Sequence, residues 1–466
     1  MKKVVFSFTL CTLITLWGKT DKHSQTFLFT RPAYQNISLN QALWHGSFFD
    51  TTKNNAFQLS FVYQKSYRSD HIRNYFLQSD DPYIKINRTA LDRNALPEWF
   101  GLPDDFSGLM TVSPEQKQYA GIFEFRKNLG PLFNSEFFKD WWLSAMTTVS
   151  HVENNLHLQQ SNVQNAASTN LTVYDILTAY NNPEWDYLKI NGRTKDTHIP
   201  EVRIVVGTTV LSTSNGAYAA SYSGFSIPTK KKLHNHHMFE AQVGFNGHVG
   251  IIWGLNLQAP LTKKEDALQI LFDINLENNF LIRNHQYRTF DLHDKKWSRY
   301  LTMRKKDQIT NTVTPGVNVL THISRVSPHA LIDFSTSLRF HYLSLEAEIG
   351  YGLWAYGGDS IKFTTPFAQE YGIAGTVTNT SASASTITTR AANDTTFTVI
   401  KESDIDLSSG AMHPALVNKF HTSFGFTHQG QVYTAHGSLG GFVEFPRNST
   451  KALATWGIMA KAGSAF

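Results

Sequence analysis

Residues 343–353 read LSLEAEIGYGL, and this stretch decides the fold, because its odd positions are apolar or aromatic while its even positions are small or charged. Successive side chains of a β-strand point to opposite faces, so the alternation predicts one row on an apolar surface and the other on an aqueous surface. The pattern recurs along the chain. Clear examples are residues 57–64, 119–126, 239–245, 249–258, 268–277, 332–339, 420–427 and 433–445, and weaker ones are residues 141–152, 202–211 and 316–324.

The lengths of these segments and of the joints between them narrow the class of β protein. Several segments hold about ten residues, which matches the roughly 9–11 that a tilted strand needs to cross a bilayer and exceeds the roughly 5–6 of soluble strands. Asn246-Gly247 has the chemistry of a two-residue hairpin, and residues 340–342 and 428–430 look similar. Residues 357–418 form a long joint. Short turns at one rim and long loops at the other are typical of outer-membrane β-barrels.

Two architectures accommodate the alternation. A soluble β-sandwich would bury the apolar row in a core, whereas a barrel would turn that row towards lipid and the polar row towards a water-filled lumen. Strand length, strand number and the chain end favour the barrel, in which every backbone N–H and C=O group is paired around the ring. We therefore predict an all-β chain that forms a closed antiparallel transmembrane β-barrel of about 12 to 14 strands, with long extracellular loops and short periplasmic turns.

The strand count has one uncertain region. If Phe466 lies at the periplasmic rim and the joint at residues 357–418 lies outside, the turns at residues 340–342 and 428–430 fall on the periplasmic side. The Asn246-Gly247 turn is then periplasmic only if residues 278–329 contribute an odd number of strands. Residues 280–290 and 316–324 supply two, so a further strand is expected there, near residues 299–304, or one of the two is assigned wrongly.

The N-terminus predicts export. Met1, Lys2 and Lys3 precede an apolar stretch, residues 4–17, that is too short to span a bilayer, and we assign residues 1–20 to a signal peptide. The single cysteine, Cys11, lies within it, so the exported chain has no disulfide framework. Residues 21–50 do not alternate, and they either fold into the lumen as a plug or hang in the periplasm. Residues 51–466 form the predicted barrel.

Composition and motifs argue against several function classes. The 466 residues include 42 Lys and Arg against 37 Asp and Glu, and the resulting net charge of +5 is spread along the chain rather than gathered into a nucleic-acid-binding patch. The sequence lacks a P-loop, an HExxH zinc helix and a GxSxG nucleophile elbow. We therefore expect neither enzyme activity nor a cofactor. Residues 234–237 are rich in histidine, as zinc and copper sites are, but no nearby carboxylate or thiol completes a site, and we interpret them as a polar rim loop.

The chain ends on an alternating segment with a terminal aromatic residue. Steps of two back from the end give an apolar row with one serine: Phe466, Ser464, Ala462, Ala460, Ile458 and Trp456. This strand, the export signal and the alternating body together resemble Gram-negative outer-membrane β-barrel proteins of the porin-like kind. The resemblance implies that Trp456, Ile458 and Phe466 form an insertion signal read by the barrel-insertion machinery. It also implies residence in outer-membrane lipid of a Gram-negative bacterium.

The polar rows supply the candidate lumen residues. In a barrel they would line an aqueous bore, in which the sign and position of charged side chains decide which solutes pass. This predicts a porin-like channel for passive diffusion of small polar solutes, either as a single chain or as an oligomer. The predicted lumen-lining residues are Glu124, Arg126, Glu240, Asp273, Glu277, Arg339, Glu346, Glu348 and Lys461.

Two other functions fit the same pattern. One is a surface adhesin or structural barrel that acts through the long loop, residues 357–418, while the barrel only anchors it. The other is an uptake barrel for hydrophobic solutes whose plug is the N-terminal segment. The latter requires an apolar pocket inside the barrel, and the polar rows argue against such a pocket.

Overall fold

A computed structural model of the chain describes residues 26–37, 40, 53–77, 79, 81–103, 105–164, 173–213, 216–229, 234–262, 267–295, 297–306, 313–373, 398–447 and 452–466. The signal peptide predicted for residues 1–20 lies outside these residues, as do residues 374–397 of the long loop. None of the helices in the described residues combines the length and the apolar character needed to cross a membrane.

Long strands form the body of the molecule, and we number them along the chain. They are β1 (Asn55–Tyr67), β2 (Glu115–Asn128), β3 (Trp141–Asn155), β4 (Glu201–Ser212), β5 (Tyr218–Pro228), β6 (Gly250–Pro260), β7 (Leu268–Leu281), β8 (Ala330–Tyr342), β9 (Leu345–Tyr356), β10 (Ala415–Gln429), β11 (Thr434–Pro446) and β12 (Ala454–Ala465). Each strand pairs antiparallel with its neighbours in the sequence, and β12 pairs with β1. The predicted closed antiparallel barrel is confirmed, with 12 strands.

The register shows how the ring closes. Ser60 of β1 lies opposite Ile122 of β2 on one side and Lys461 of β12 on the other. The wall between β3 and β4 is built differently, because β4 pairs only with the first half of β3. The shorter strand Arg193–His198 pairs with the second half of β3, and the strand is interrupted at Pro200 before β4 begins. A proline removes one ladder donor, which explains why a single continuous strand is interrupted there.

The two ends of the barrel differ as the sequence predicted. Connections at the short-turn end are residues 129–140, 213–217, 261–267, 343–344 and 430–433. Connections at the long-loop end are residues 68–114, 156–200, 229–249, 282–329, 357–414 and 447–453. Phe466 and the predicted turns near residues 340–342 and 428–430 all lie at the short-turn end. In outer-membrane barrels the short turns face the periplasm.

Short elements supplement the wall. Among the described residues, the α-helices are Asp70–Leu77, Gly130–Phe133, Ile176–Tyr180 and Gly316–Val319, and the 3-10 helices are Ala33–Gln35, Pro97–Phe100, Glu136–Phe138, Ser298–Tyr300, Glu402–Asp404 and Leu407–Gly410. The short strands are Ile84–Ile86, Ser107–Thr111, Gln159–Gln164, Arg193–His198, Asn284–Thr289, Asp291–Leu292, Thr302–Lys305, Val313–Pro315, Thr321–Pro328, Asp359–Phe363, Tyr371–Ile373, Thr398–Val399 and Ile405–Asp406.

The long loops share apolar cores that cover their end of the barrel, and we call their described residues between 68 and 414 the outer cap. Aromatic rings dominate its centre: the ring of Tyr300 lies 5.3 Å from that of Phe100 and 5.3 Å from that of Trp185. A second core collects around Phe290, Met303 and nearby residues of the loops at 282–329 and 357–414. The loops are therefore folded against one another.

Residues 239–245 are not a strand, and the prediction of one there is wrong. They belong to the outer cap, where the backbone N–H groups of Ala241 and Val243 donate to Thr194 Oγ1 (3.0 Å) and Asp196 Oδ2 (3.2 Å). Their apolar side chains are buried in the cap. The alternation therefore arises from a loop that packs one side against the rest of the protein. The Asn246-Gly247 turn consequently lies at the long-loop end.

Residues 282–329 add no strand to the barrel. The extra strand expected there is not needed, because the Asn246-Gly247 turn lies at the long-loop end. The segments predicted as strands at 280–290 and 316–324 instead give the end of β7, the helix Gly316–Val319 and the short strands Asn284–Thr289 and Thr321–Pro328, which pair with each other in the outer cap.

Candidate functional site in the barrel lumen

Even-numbered positions of β1 and β2 point into the barrel and are mostly polar and buried. On β1 these inward positions include Gln58, Ser60 and Gln64, and on β2 they include Gln116 and Gln118. The same inward rows elsewhere carry asparagine, serine, histidine and charged residues. The wall of the lumen is therefore hydrophilic along most of its length.

Eight of the nine predicted lumen residues lie on inward rows, and most of them are paired with each other or with wall residues. Arg339 Nη2 donates to Asp273 Oδ2 (2.8 Å) and to Gln258 Oε1 (3.2 Å), and Glu348 lies opposite Arg339 in the register. Glu346 is the next inward residue of β9. A cationic side chain thus sits among three carboxylates on one side of the lumen.

A second group of charges lies on the wall formed by β2 to β7. Arg203 Nη2 donates to Glu277 Oε2 (2.6 Å), and the hydroxyl of Tyr222 donates to the same oxygen (2.9 Å). Ser144 Oγ donates to Glu124 Oε1 (2.8 Å). Arg126 is fully buried near the short-turn end, with Nη2 3.4 Å from the carbonyl oxygen of Lys53. Charged residues of both signs therefore face the lumen from neighbouring parts of the wall.

Glu240 is the exception, and its assignment to the barrel wall is wrong. It lies in the outer cap, where its Oε2 accepts the backbone N–H of His236 (3.1 Å). The rings of His234 and His236 stack at 5.6 Å beside Tyr187, and burial lowers the pKa of the neighbouring His237 below its usual value. Within the described residues, no group of three or more His, Cys, Asp or Glu side chains is arranged to hold a metal ion.

The described residues between 26 and 40, which we call the lumenal segment, run through the inside of the barrel. At the long-loop end, Thr26 Oγ1 donates to the carbonyl oxygen of Thr289 (2.6 Å). At the other end of the segment, the carbonyl oxygen of Asn40 accepts from Gln58 Nε2 (3.1 Å) and Lys461 Nζ (2.7 Å). Both partners of Asn40 lie near the short-turn end of their strands, so the segment follows the lumen along most of its length.

Ionic and polar contacts hold the middle of the lumenal segment. The guanidinium of Arg31 lies 3.5 Å from Asp333 Oδ2 and also contacts the carboxylate of Glu444. Lys419 Nζ donates to the side-chain oxygen of Asn36, and Gln35 Nε2 donates to Glu201 Oε1 (2.5 Å). Partners on β4, β8, β10 and β11 thus surround the segment.

Tyr34 of the lumenal segment lies in apolar surroundings. Tyr34 is completely buried in a small cluster of wall residues. The cluster comprises Ala33, Tyr34, Val62, Ala120, Ile122, Met146, Phe442 and Met459. The segment is therefore anchored by packing at its centre as well as by charge.

The outward rows have the opposite chemistry. Phe61, Ile349, Phe424 and Leu439 are each more than half exposed, on different parts of the ring. Large apolar patches on a closed barrel with fully paired strands are stable when they face lipid rather than water. The chain forms a transmembrane β-barrel. In it, Trp456, Ile458 and Phe466 of the predicted insertion signal also face outward, at 40%, 56% and 51% exposure.

Comparisons with known proteins are limited to architecture. No protein-family model and no curated protein matches this barrel. Among solved structures, it is similar to an outer membrane channel from Pseudomonas putida F1, with TM-score 0.39 and 8% identity over 89% of this chain and 96% of that one. It is also similar to the β domain of a Bordetella autotransporter (TM-score 0.34, 6% identity, 89% and 100% covered) and to a FadL homologue from Pseudomonas aeruginosa (0.31, 8%, 95% and 99%).

Sequence reasoning missed five charged residues at the contacts between the lumenal segment and the barrel wall, namely Arg31, Glu201, Asp333, Lys419 and Glu444. Asp333, Lys419 and Glu444 all lie on inward rows of strands whose alternation was recognised, so the signal for them was present. Arg31 carried no such signal, because the segment around it has no periodicity that assigns it a face.

Proposed function

We propose that this barrel is an outer-membrane channel for passive diffusion of small polar solutes and that its N-terminal segment, residues 21–50, acts as a plug. The observation that carries the proposal is the chemistry of the inward rows, which are polar and charged of both signs. Such a wall can replace part of the hydration shell of a polar solute, whereas an apolar solute gains nothing from it.

The plug is inferred from the contacts of the lumenal segment. Its residues interact with side chains on several walls, and the segment occupies space that a solute would need. Its strongest attachments are charge-assisted bonds made by Arg31 and Lys419, which hold it in place without a covalent link. A solute can pass only when the segment shifts, so the resting channel is expected to open rarely.

Conductance of the purified full chain in planar lipid bilayers tests this. Wild-type protein should show low and infrequent currents, whereas Arg31→Gln should open more often, because Asp333 and Glu444 lose the cation that holds the segment. Lys65→Gln is the matched control, since Lys65 pairs with Glu115 on the outward row. Wild-type currents from a folded Arg31→Gln protein, together with silence from a folded protein lacking residues 21–50, would refute the proposal.

The uptake of hydrophobic solutes is a second candidate, and one observation favours it. At the long-loop end of the lumenal segment, the ring of Phe29 lies 5.1 Å from that of Tyr356, 6.1 Å from that of Phe245 and 6.2 Å from that of Trp354. All four rings are buried in one apolar cluster, and aromatic side chains of this kind line the sites that bind apolar molecules. Proteoliposomes distinguish the candidates: swelling in arabinose favours the polar channel, and accelerated uptake of toluene without swelling favours the second candidate.

The adhesin alternative predicts a different result when the long loop is shortened. A protein that acts only through residues 357–418 should lose binding to cells when that loop is shortened, while its bilayer currents stay unchanged. Loss of currents alone would assign the loop to the channel instead.

A further inference from the structure

The connection between β2 and β3, residues 129–140, is unlike the other connections at the short-turn end. It contains Leu132, Phe133, Phe137 and Phe138 and leads directly into Trp141, and we call residues 129–141 the aromatic turn. The other four connections at this end carry at most two large apolar residues each. Leu132, Phe133 and Phe137 are 57%, 55% and 69% exposed. A cluster of this kind in water would be unfavourable.

The exposure belongs to an ordered turn. The N–H of Leu129 donates to the carbonyl oxygen of Trp141 (2.9 Å), which closes the base of the turn, and the N–H of Phe133 donates to the carbonyl oxygen of Leu129 (3.0 Å). Ser135 then begins the second helical turn by accepting the N–H of Phe137 on its hydroxyl (3.3 Å). The local hydrogen bonds hold the apolar side chains outside any core.

Ring contacts join the aromatic turn to the lipid-facing surface of the barrel. The ring of Phe137 stacks on Trp141 at 5.8 Å, and Phe138 meets the same indole edge-on at 6.1 Å. Trp141 occupies an outward position of β3, whereas the next residue, Trp142, is buried inside against Tyr222 at 6.0 Å. The exposed cluster therefore continues the outward row of β3 beyond the end of the strand.

The polar groups of the turn suit a membrane boundary. Lys139 and Glu136 form a loose pair, with 3.8 Å between Nζ and Oε2, and both side chains are largely exposed. Aromatic rings gather at the level of the lipid headgroups, where one edge meets acyl chains and polar neighbours reach water. Phospholipid of the periplasmic leaflet is the partner whose chemistry matches this arrangement.

We propose that the aromatic turn inserts into the interfacial layer of the periplasmic leaflet and anchors that side of the barrel. This role is independent of what the lumen conducts. It requires only that the barrel sits in a bilayer, with the turn at the depth of the first phospholipid carbonyls.

Site-specific fluorescence tests the proposal on the full chain in vesicles of phosphatidylethanolamine and phosphatidylglycerol. A Cys11→Ser background has no other cysteine, so Leu132→Cys can carry a single bimane label. Nitroxide-labelled phospholipid should quench this label strongly, and aqueous iodide should quench it weakly. Two reference sites bracket the result: Leu439→Cys on the lipid-facing wall and Gln431→Cys in an exposed turn of the same end.

A second substitution separates anchoring from simple nearness to the bilayer. Phe137→Ser in the Leu132→Cys background should increase quenching by iodide at least twofold, while the heat-modifiable migration of the barrel stays unchanged. Iodide access at position 132 equal to that at position 431 would overturn the proposal. Protection that appears only when the protein-to-lipid ratio is raised, or only when a periplasmic extract is added, would also overturn it, since it would identify a second copy or a soluble protein as the partner.

Discussion

Two aromatic residues show how single side chains shape the inside of the barrel. The ring of Tyr222 occupies the space beside Gly254 on the adjacent strand, and that of Trp142 does the same beside Gly207. A Cβ atom at Gly254 would lie 2.0 Å from the Tyr222 ring, and one at Gly207 would lie 2.2 Å from the Trp142 ring. Glycine is required at both positions because an aromatic ring lies where a side chain would be.

Gly254→Ala should therefore impair barrel assembly. The added methyl group forces Tyr222 to move, and with it the hydroxyl that donates to Glu277, at a cost of about 1–3 kcal/mol for overpacking. The measurement is the fraction of heat-modifiable protein after refolding into vesicles. Gly441→Ala is the matched control, since the nearest atom to its Cβ would be 3.6 Å away. Equal folding of the two variants would contradict the prediction.

The buried pair of Arg339 and Asp273 leads to a prediction about charge. Asp273→Ala leaves the Arg339 guanidinium without its closest partner, and breaking a buried pair from one side costs about 3–5 kcal/mol. The free energy of unfolding, measured by urea titration in vesicles, should fall by that amount. Asp92→Ala removes the partner of Lys85 in an exposed pair, which water already screens, and should leave the unfolding free energy nearly unchanged. Similar losses from both variants would mean that the lumen screens its charges as bulk water does.

The alternation of the sequence predicted the strands well where the inward row is polar and the outward row is apolar. Strands β3 and β4 gave only weak signals, because their inward rows include Trp142, Met146 and Val205, so both faces are partly apolar. Residues 239–245 gave a strong but misleading signal, since a loop with one covered side alternates like a strand. The lumenal segment gave none, because contacts on several sides leave no periodic pattern.

The terminal strand supports a prediction that separates assembly from stability. Phe466 is joined to Asn55 by two backbone hydrogen bonds of 2.8 Å, and its ring faces outward. Phe466→Ala keeps those bonds, so the unfolding free energy should change by no more than about 1–3 kcal/mol, the value of one apolar side chain. Its amount in the outer membrane, measured by fractionation, should fall several-fold if the ring is read as an insertion signal. Wild-type amounts would remove that role from Phe466.

The whole molecule combines a barrel that lipid stabilises with an outer cap that must hold together in water. Within the cap, His322 Nε2 donates to the carbonyl oxygen of Val319 (2.8 Å), and its ring lies 4.9 Å from that of Phe367. Burial lowers the pKa of His322, as it does that of His237. The folded cap therefore binds fewer protons at these imidazoles than the unfolded cap does.

The cap should consequently be most stable above the ordinary histidine pKa, about 6.5, and should lose stability as the pH falls below that value. Limited proteolysis of vesicle-embedded protein from pH 8 to pH 5 measures this, with cleavage in the loops expected to accelerate at the acidic end. His322→Gln should flatten the profile, because it removes one of the two groups. Cleavage that slows on acidification would contradict the assignment of these histidines.

The path of the lumenal segment constrains how the protein is made. Thr26 lies beside the long loops, whereas Asn55, the first residue of β1, lies beside Phe466 at the opposite rim. The chain therefore passes through the lumen from one end of the barrel to the other before β1 begins. The seam between the first and last strands must then close around a strand of peptide already in position, or the peptide must be drawn in afterwards. A bulky folded domain fused upstream of residue 26 could not be drawn through a barrel that has already closed. Such a domain would reach the cell surface only if the seam between β1 and β12 closes after the peptide is in place.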